Sequence, residues 1–249
     1  MSNNLKSEEK VVRQQIFRQL FDEATWTYTY LIADPDSLEG ILIDPVDEKA
    51  ERDLSLIKEL GIKLKYTMET HTHADHITGA SLISQQTGAK KVVGKRSGAE
   101  CADVFVDDGD ILEFGRYKVK ALSTPGHTDG CTSYVVEDKA FTGDALFVRG
   151  TGRTDFQQGS AEVLYDSIYN KLFSLPEDTF VYPGHDYKGA TVSTIREEKL
   201  FNPRVKVGIT KQQFAETMKN LKLANPKKIH EAVPANLKCG QKDLTSVQQ

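Results

Sequence analysis

The segment "THTHADHITG" holds three of the six histidines of the chain beside an aspartate. His71 and His73 are two positions apart, so in extended chain both side chains face one side. Asp75 and His76 follow where a helix is predicted to begin. Neutral imidazoles and carboxylates bind zinc, iron or manganese. Three imidazoles so close have no good packing role, since each needs hydrogen-bond partners when buried. The spacing therefore favours a metal site over a structural cluster.

Three further candidate ligands stand alone in the sequence. They are His127 in "STPGHTDG", Asp144 in "FTGDAL" and His185 in "YPGHD". Each by itself would more often be a structural or surface residue, and an aspartate after glycine is an ordinary turn residue. Glycine precedes all three, and its conformational freedom allows a tight turn that aims the next side chain inward.

Each of these polar clusters comes directly after a strand-like run. The runs end at Thr70, Ser123, Phe141 and Tyr182. Loops at strand ends are where layered α/β folds gather their functional sites. We therefore expect the candidate ligands to meet at one edge of the sheet layers.

The remaining pattern predicts one domain, residues 1–249, with a short helical tail from about residue 210. The segments "GILIDPV" and "KLKYTMET" are predicted strands. Helices are expected after three capping residues, Asp47, Ser160 and Thr210, the last with Gln213 in capping-box spacing. A further helix is predicted from Ile77 to its end at Gly88.

Composition excludes several classes of protein. The 249 residues are 39% hydrophobic and 27% charged, with a net charge of -4, so no basic surface for nucleic acid is expected. No run of about 18 apolar residues predicts a membrane helix, and the N-terminal segment lacks the features of a signal or transit peptide. Cys101, Cys131 and Cys239 form no CxxC pair, which favours separate thiols in a reducing compartment. A cytoplasmic protein is expected.

Taken together, "HTHADH" and the later His127, Asp144 and His185 resemble the metallo-β-lactamase superfamily over nearly the whole chain. This resemblance implies an α/β fold, an αββα sandwich of two mixed β-sheets flanked by helices. It also implies a metal at one edge of the two sheets. The superfamily includes hydrolases, nucleases and redox enzymes, so the fold alone does not determine the activity.

Longer segments narrow the resemblance. "GRTDFQQGSAEVLYDSI", "YPGHDYKGATVSTIREEKLFNPR" and "AVPANLKCG" resemble the persulfide dioxygenases, also called sulfur dioxygenases. That family implies an oxidoreductase of sulfur metabolism and hydrogen sulfide detoxification. It would oxidise glutathione persulfide with dioxygen and water to sulfite and glutathione. Zinc glyoxalase II enzymes share the ligand set but have a longer helical C-terminal region, whereas only a short tail follows "NPR" here.

The same resemblance implies one Fe²⁺ per chain, held by His71, His127 and Asp144. Such a set leaves up to three positions of an octahedral iron open for substrate and dioxygen. With two neutral imidazoles and one carboxylate the ferrous site is formally at +1, which suits an anionic persulfide.

Four more residues of the ligand set are implied to support the centre by orienting ligands or moving protons. They are His73, Asp75, His76 and His185. In the hydrolases of the superfamily these residues fill a second metal site. The residue types alone therefore leave both one and two metals open.

The substrate carboxylates need cationic or hydrogen-bonding partners, and Arg204 and Tyr187 are the candidates. Arginine binds a carboxylate through two hydrogen bonds. A surface salt bridge or a buried hydroxyl is an equally weighted alternative for these two residues. Arg153 is a third candidate, although with Asp155 it is favoured to form a pair that shapes the loop around the metal.

The sequence also gives expectations for Thr151 and for two of the cysteines. Family members often have cysteine where this chain has Thr151, so a thiol role there is absent. Cys239 is expected to be a bystander thiol, and Cys131 a small strand residue.

The rival functions are a dinuclear zinc glyoxalase II-like thioesterase and a non-catalytic metal or sulfide sensor. The family also makes a homodimer one candidate assembly.

Overall fold

The structure, a computed structural model, describes residues 13–224 and 228–241. Its strands form two six-stranded sheets. The first contains, in spatial order, β1 (Ile16–Asp22), β2 (Thr27–Ala33), β3 (Glu39–Ile43), β4 (Lys63–Met68), β5 (Lys90–Gly94) and β6 (Val104–Val106). The second contains β7 (Ile111–Phe114), β8 (Tyr117–Ser123), β9 (Thr132–Val136), β10 (Lys139–Gly143), β11 (Phe180–Pro183) and β12 (Ser193–Thr194).

Both sheets are mixed. In the first, β1 to β3 pair antiparallel and β3 to β6 pair parallel. In the second, only β10 and β11 pair parallel. The sequence explains the burial: β2, "TYTYLIA", is β-branched and aromatic and is buried on both faces. By contrast, β8 alternates buried and exposed residues along most of its length, as expected for a strand with one solvent face.

Six α-helices lie among the described residues. They are α1 (Ala50–Glu59), α2 (Ala80–Thr87), α3 (Ala161–Ser167), α4 (Ile195–Phe201), α5 (Lys211–Lys219) and α6 (Ile229–Leu237), with a turn of π-helix, Ile168–Leu172, extending α3. The caps at Ser160 and Thr210 are confirmed, the latter with Gln213 in a capping box. Two expectations are wrong. Asp47 begins a short 3₁₀ turn instead of capping α1. The helix expected from Ile77 begins at Ala80, because residues 74–79 form an irregular loop.

The elements stack in four layers around three apolar clusters. The central cluster joins the facing sides of the two sheets and includes Tyr30, Ile43, Tyr134 and Phe141. A second cluster packs α1 and α2 on the outer face of the first sheet. A third packs α3, α4 and α5 on the second sheet. The αββα sandwich and its two mixed sheets are thereby confirmed.

The cysteines correct the expectation of separate thiols. Cys101, in the loop between β5 and β6, forms a disulfide with Cys239, just after α6. Because the two residues are 138 positions apart, the sequence alone did not show that the fold brings them together. Cys131 is a free, buried thiol directly before β9, so it adjoins the strand in which it was predicted to lie. None of the helices in the described part of the chain is long and apolar enough to cross a membrane.

Candidate metal centre

Four strand ends bring the candidate ligands together. The loop after β4 carries His71 and His73, and the loop after β8 carries His127. Asp144 directly follows β10, and His185 lies two residues after β11. Because these strand ends lie at one edge of the two sheets, residues that are isolated in the sequence become neighbours.

His71, His127 and Asp144 form one potential donor set. One ligand atom from each lies within 4.8 Å of the others. Nε2 of His127 is 3.5 Å from Oδ2 of Asp144, and the rings of His71 and His127 are 4.9 Å apart between centroids. The side chains of His127 and Asp144 each keep 11% of their surface exposed. The set is therefore nearly buried yet reachable by a small molecule.

The backbone at the end of β10 packs so closely against neighbouring loops that a Cβ atom would not fit. Gly143 has a φ of +49°, and a Cβ there would come within 2.4 Å of Oγ1 of Thr70. A Cβ at Gly184 would come within 2.7 Å of Oδ1 of Asp144. Glycine at these two positions therefore lets three ligand loops pack against one another.

Hydrogen bonds to Nδ1 orient the two imidazoles of this set. The Thr70 hydroxyl donates to Oδ2 of Asp44 at 2.8 Å, so it accepts from Nδ1 of His71, which lies 3.0 Å away. Nδ1 of His127 donates to the carbonyl of Arg153 at 2.7 Å. In both rings the proton sits on Nδ1, and the lone pair of Nε2 is left for a metal.

Charge and burial favour neutral donors here. Burial lowers the pKa of His71 well below its usual value, and the neighbouring His73 and His127 lower it further. Oδ1 of Asp144 is buried and has no hydrogen-bond partner within residues 13–224 and 228–241. A buried carboxylate oxygen left in this way is costly unless a cation or a proton satisfies it. The residues present therefore fit a divalent metal.

His73 has carboxylate partners of its own. Its Nε2 donates to Oδ1 of Asp44 at 3.2 Å and lies 3.3 Å from Oε2 of Glu69. Burial opposes a charge on this ring, but the two carboxylates outweigh burial and raise the pKa of His73 well above its usual value. Burial in turn raises the pKa of Glu69 to about 7. The two carboxylates therefore hold the ring through Nε2, while Nδ1 of His73 has no hydrogen-bond partner among the described residues.

Asp75, His76 and His185 surround the hydroxyl of Thr27. That hydroxyl lies 3.3 Å from Oδ2 of Asp75 and 3.4 Å from Nδ1 of both histidines. Nε2 of His185 is 3.5 Å from Oδ1 of Asp144, so the Asp144 carboxylate stands between His127 and His185.

The second group also contains a potential metal donor set. His73, Asp75 and His185 lie within 4.8 Å of one another by one ligand atom each. Burial opposes the charged form of Asp75, but the adjacent His76 and His185 outweigh burial and lower the pKa of Asp75 well below its usual value. The carboxylate of Asp75 is therefore ionised and serves either as an anchor for these rings or as a ligand.

Sequence reasoning missed five residues that hold this centre. They are Thr27, Asp44, Glu69, Thr70 and Asn236. Asp44 lies in "GILIDPV" and looked like an ordinary turn residue, yet it is buried, has a φ of +50° and accepts from the amide of Thr70 at 2.7 Å. A buried acid after a strand and before proline was the available signal.

Asn236 is the most distant of the missed residues. Its side-chain amide donates to the carbonyls of His73 and His76 at 2.9 and 2.8 Å. Its carbonyl accepts from the amide of Thr78 at 2.9 Å. Helix α6, 160 positions downstream of His76, therefore fastens the loop that carries the histidine cluster.

The three predicted substrate-binding residues lie in different surroundings. Tyr187 is 63% exposed and its ring is parallel to that of His185, 6.1 Å away. Arg204 is half-buried and donates to the carbonyl of Thr151 at 2.6 Å. Arg153 forms the predicted pair with Asp155, at 2.6 and 2.7 Å.

The two arginines, Arg204 and Arg153, differ in whether an acidic side chain already pairs with the guanidinium. Arg204 has no carboxylate within ion-pair distance among the residues that the structure describes. The guanidinium of Arg153, in contrast, also donates to the carbonyl of Ala224 and stacks on Phe156. Arg204 is therefore the one of these two arginines that keeps its charge without an acidic partner among the described residues.

The chain matches the Metallo-beta-lactamase superfamily over residues 27–185. It is 49% identical over 234 residues to the human protein named persulfide dioxygenase ETHE1, mitochondrial, covering 93% of this chain and 91% of the human one. A crystal structure of ETHE1 from Myxococcus xanthus has a TM-score of 0.88 and 52% identity, covering 91% of this chain and 100% of that one.

The rival hydrolase family is represented at lower similarity. A Dictyostelium discoideum protein named Glyoxylase B2 is 33% identical over 223 residues, covering 77% of this chain and 76% of its own. The differences in identity and in coverage both favour the dioxygenase relatives.

Proposed function

The chain belongs to the metallo-β-lactamase superfamily and, within it, to the persulfide dioxygenases, and from this premise we propose that it oxidises glutathione persulfide. Dioxygen and water are consumed, and sulfite and glutathione are released. The observation that carries the proposal is the grouping of His71, His127 and Asp144 within 4.8 Å, in a chain so similar to these relatives. Two imidazoles and one carboxylate are the donor set of non-haem iron oxygenases.

The proposed cofactor is one Fe²⁺ per chain, held by His71, His127 and Asp144. When bound, iron would supply the redox chemistry that lets dioxygen react with the persulfide sulfur, and the sulfur itself would donate the electrons that reduce dioxygen. The protein contributes the fixed Nε2 lone pairs of the two rings and the free oxygen of Asp144. It also keeps the donor set largely buried, since the side chains of His127 and Asp144 are each 11% exposed, which limits competing reactions.

The single metal of this proposal rests on the similarity to the persulfide dioxygenases. Asp44 and Glu69 lie 3.2 and 3.3 Å from Nε2 of His73 and fix the orientation of its ring. In this proposal His73, Asp75, His76 and His185 orient ligands and hold or move protons.

The glutathione part of the substrate carries two carboxylates. We assign Arg204 to one of them, because its guanidinium has no acidic partner in residues 13–224 and 228–241. Tyr187 presents an exposed ring beside His185, and we assign it to binding of the same glutathione molecule. Arg153 contributes less to binding in this scheme, because its Nε and Nη2 already donate to Asp155 and its Nη1 to the carbonyl of Ala224.

Metal analysis and oxygen uptake of the same purified preparation test the proposal. Protein isolated without added metal is expected to contain close to one iron per chain. Asp144→Ala should lose the iron and the oxygen uptake with glutathione persulfide. Asp166→Ala removes a half-exposed carboxylate that pairs with Lys211 on the surface of the described chain and is the matched control. Retained activity in Asp144→Ala would refute its role as a ligand.

A dinuclear zinc thioesterase is the second candidate, favoured by the donor set of His73, Asp75 and His185. Two zinc ions would activate a hydroxide for attack on a thioester carbonyl. Two zincs per chain with hydrolysis of lactoylglutathione would establish this function and exclude the dioxygenase.

Two finer points belong to the same proposal. The cytoplasm is the proposed location, although the Cys101–Cys239 disulfide removes the argument from separate thiols and the animal relatives are named as mitochondrial. Fractionation of the source cells tests it. A homodimer is one candidate assembly, and the exposed apolar side chains of Leu200, Phe201 and Val207 offer a surface for it. Sedimentation analysis tests the dimer, and a monomer at micromolar concentration would contradict it.

A further inference from the structure

Trp26 occupies an unusual position beside the metal centre. It lies in the turn between β1 and β2 with a φ of +57°, a conformation that bulky side chains rarely adopt. Its side chain is 46% exposed, although a large indole normally gains by burial. An exposed tryptophan held in a disfavoured backbone conformation indicates a role outside the core.

The turn is fastened on both sides. The carboxylate of Asp22 accepts from the amide and hydroxyl of Thr25 at 3.1 and 2.6 Å. The carbonyl of Trp26 accepts from the amide of Asp186 at 3.3 Å. Thr27 then bridges to His185 in antiparallel fashion. The indole is therefore held in register with the loop that carries His185.

Aromatic rings run in series from Trp26 to the metal centre. The rings of Trp26 and Tyr187 are 5.6 Å apart between centroids, and Tyr187 lies parallel to His185 at 6.1 Å. Nε2 of His185 is in turn 3.5 Å from Asp144. Three extended residues of a peptide reach about 10 Å, which is comparable with the span of these rings.

We propose that Trp26 and Tyr187 form the wall against which the peptide part of glutathione packs while the persulfide sulfur is at the metal centre. This inference rests on the proposed function and assigns to Trp26 a positioning role. Aromatic faces pack well on amide planes and on polarisable sulfur. The wall fixes the long axis of the substrate, and Arg204 receives a carboxylate.

The chain offers a direct binding assay, because Trp26 is its single tryptophan. Titration of the iron-loaded protein with glutathione, the unreactive product, should change the indole fluorescence saturably. Titration with cysteine, which lacks the flanking peptide groups, should change it far less at the same concentration. Fluorescence that is unchanged by glutathione up to millimolar concentration would overturn the inference.

Variants separate positioning from a structural role. Trp26→Ala should raise KM for glutathione persulfide about five- to tenfold with kcat within about twofold. Trp26→Phe should restore the wild-type KM. Both variants should oxidise hydrogen disulfide, the inorganic persulfide, at the wild-type kcat/KM. Phe105→Ala, which truncates a similarly exposed ring on β6, is the control and should match wild type throughout.

Two outcomes would refute the positioning role. One is an unchanged KM in Trp26→Ala, and the other is an equal loss of kcat/KM for both persulfides. If wild-type protein consumes no oxygen with either persulfide, the proposed function fails. The fluorescence titration with glutathione then still decides whether Trp26 faces a glutathione site. Should Trp26→Ala not fold, Trp26→Leu takes its place with the same expected rise in KM.

Discussion

The disulfide between Cys101 and Cys239 makes a quantitative prediction about stability. It closes a loop of 138 positions and joins the end of α6 to the loop before β6. The amide of Glu100 donates to the carbonyl of Leu237, and the amide of Ser81 to that of Cys239, both at 3.2 Å. The bond thus ties the last described helix to the first sheet and to α2.

The expected magnitude comes from chain entropy. A cross-link that closes a loop of about 100 residues restricts the unfolded chain by about 4.7 kcal/mol, and the value rises slowly with length. Measured contributions are typically about 2–4 kcal/mol. We therefore expect Cys101→Ser to lower the free energy of unfolding by about 2–5 kcal/mol.

The loss should also appear locally, at the metal-centre loop. Asn236 is three residues before Cys239, and it bonds the backbone of His73, His76 and Thr78. Without the covalent tie, α6 opens more often than the rest of the fold. The amide of Thr78 should then exchange its hydrogen faster than amides within β2, which lies deep in the core.

Urea unfolding with and without a thiol reductant is the assay. The reductant should lower the free energy of unfolding of wild type to that of Cys101→Ser. It should leave the free energy of unfolding of the variant unchanged, so the variant serves as the control. Equal free energies for oxidised wild type and Cys101→Ser would refute the entropic reasoning. Slow exchange at Thr78 in the variant would refute the tether between α6 and the histidine loop.

Three further perturbations test other parts of the molecule. Asn236→Ala leaves buried backbone groups unpaired and should cost about 1–3 kcal/mol in urea unfolding; a change below about 0.5 kcal/mol would be ordinary for a surface site and would contradict this. Gly143→Ala forces a Cβ to within 2.4 Å of Thr70, and chelator competition should show iron affinity at least about tenfold weaker; wild-type affinity would contradict the close packing inferred there. Burial raises the pKa of Asp53 although Arg52 opposes it, so wild type loses stability as pH rises from about 4 through that pKa. The stability of Asp53→Asn relative to wild type should therefore increase as the pH rises above about 4, and parallel stability–pH profiles would contradict this.

Strand ends and the ligand set were the parts of the fold most visible in the sequence. "KLKYTMET" and "TFVYPGHD" show their strands by alternation or apolar content, and the structure ends these strands at Met68 and Pro183. The histidine spacing identified the cluster because closely spaced imidazoles are poorly suited to apolar packing. The αββα arrangement itself came from the resemblance, since local periodicity does not specify which strands pair.

The features that could not be predicted from the sequence depend on contacts between segments that are distant along the chain. Asp44 looked like a turn residue until Thr70 and His73 were seen to share its carboxylate. Asn236 and the Cys101–Cys239 pair act across more than 130 positions. Helix α2 starts later than predicted because Thr78 is held by Glu69 and Asn236 in an irregular loop. Tertiary hydrogen bonds outweigh local helix propensity there.

Oxygen uptake by the iron-loaded protein with glutathione persulfide is the most direct test of the central claim. We predict uptake that depends on the persulfide, yields one sulfite for each dioxygen consumed and stops when a chelator removes the metal. Iron-loaded protein that consumes no oxygen with this substrate, while it hydrolyses lactoylglutathione, would contradict the claim.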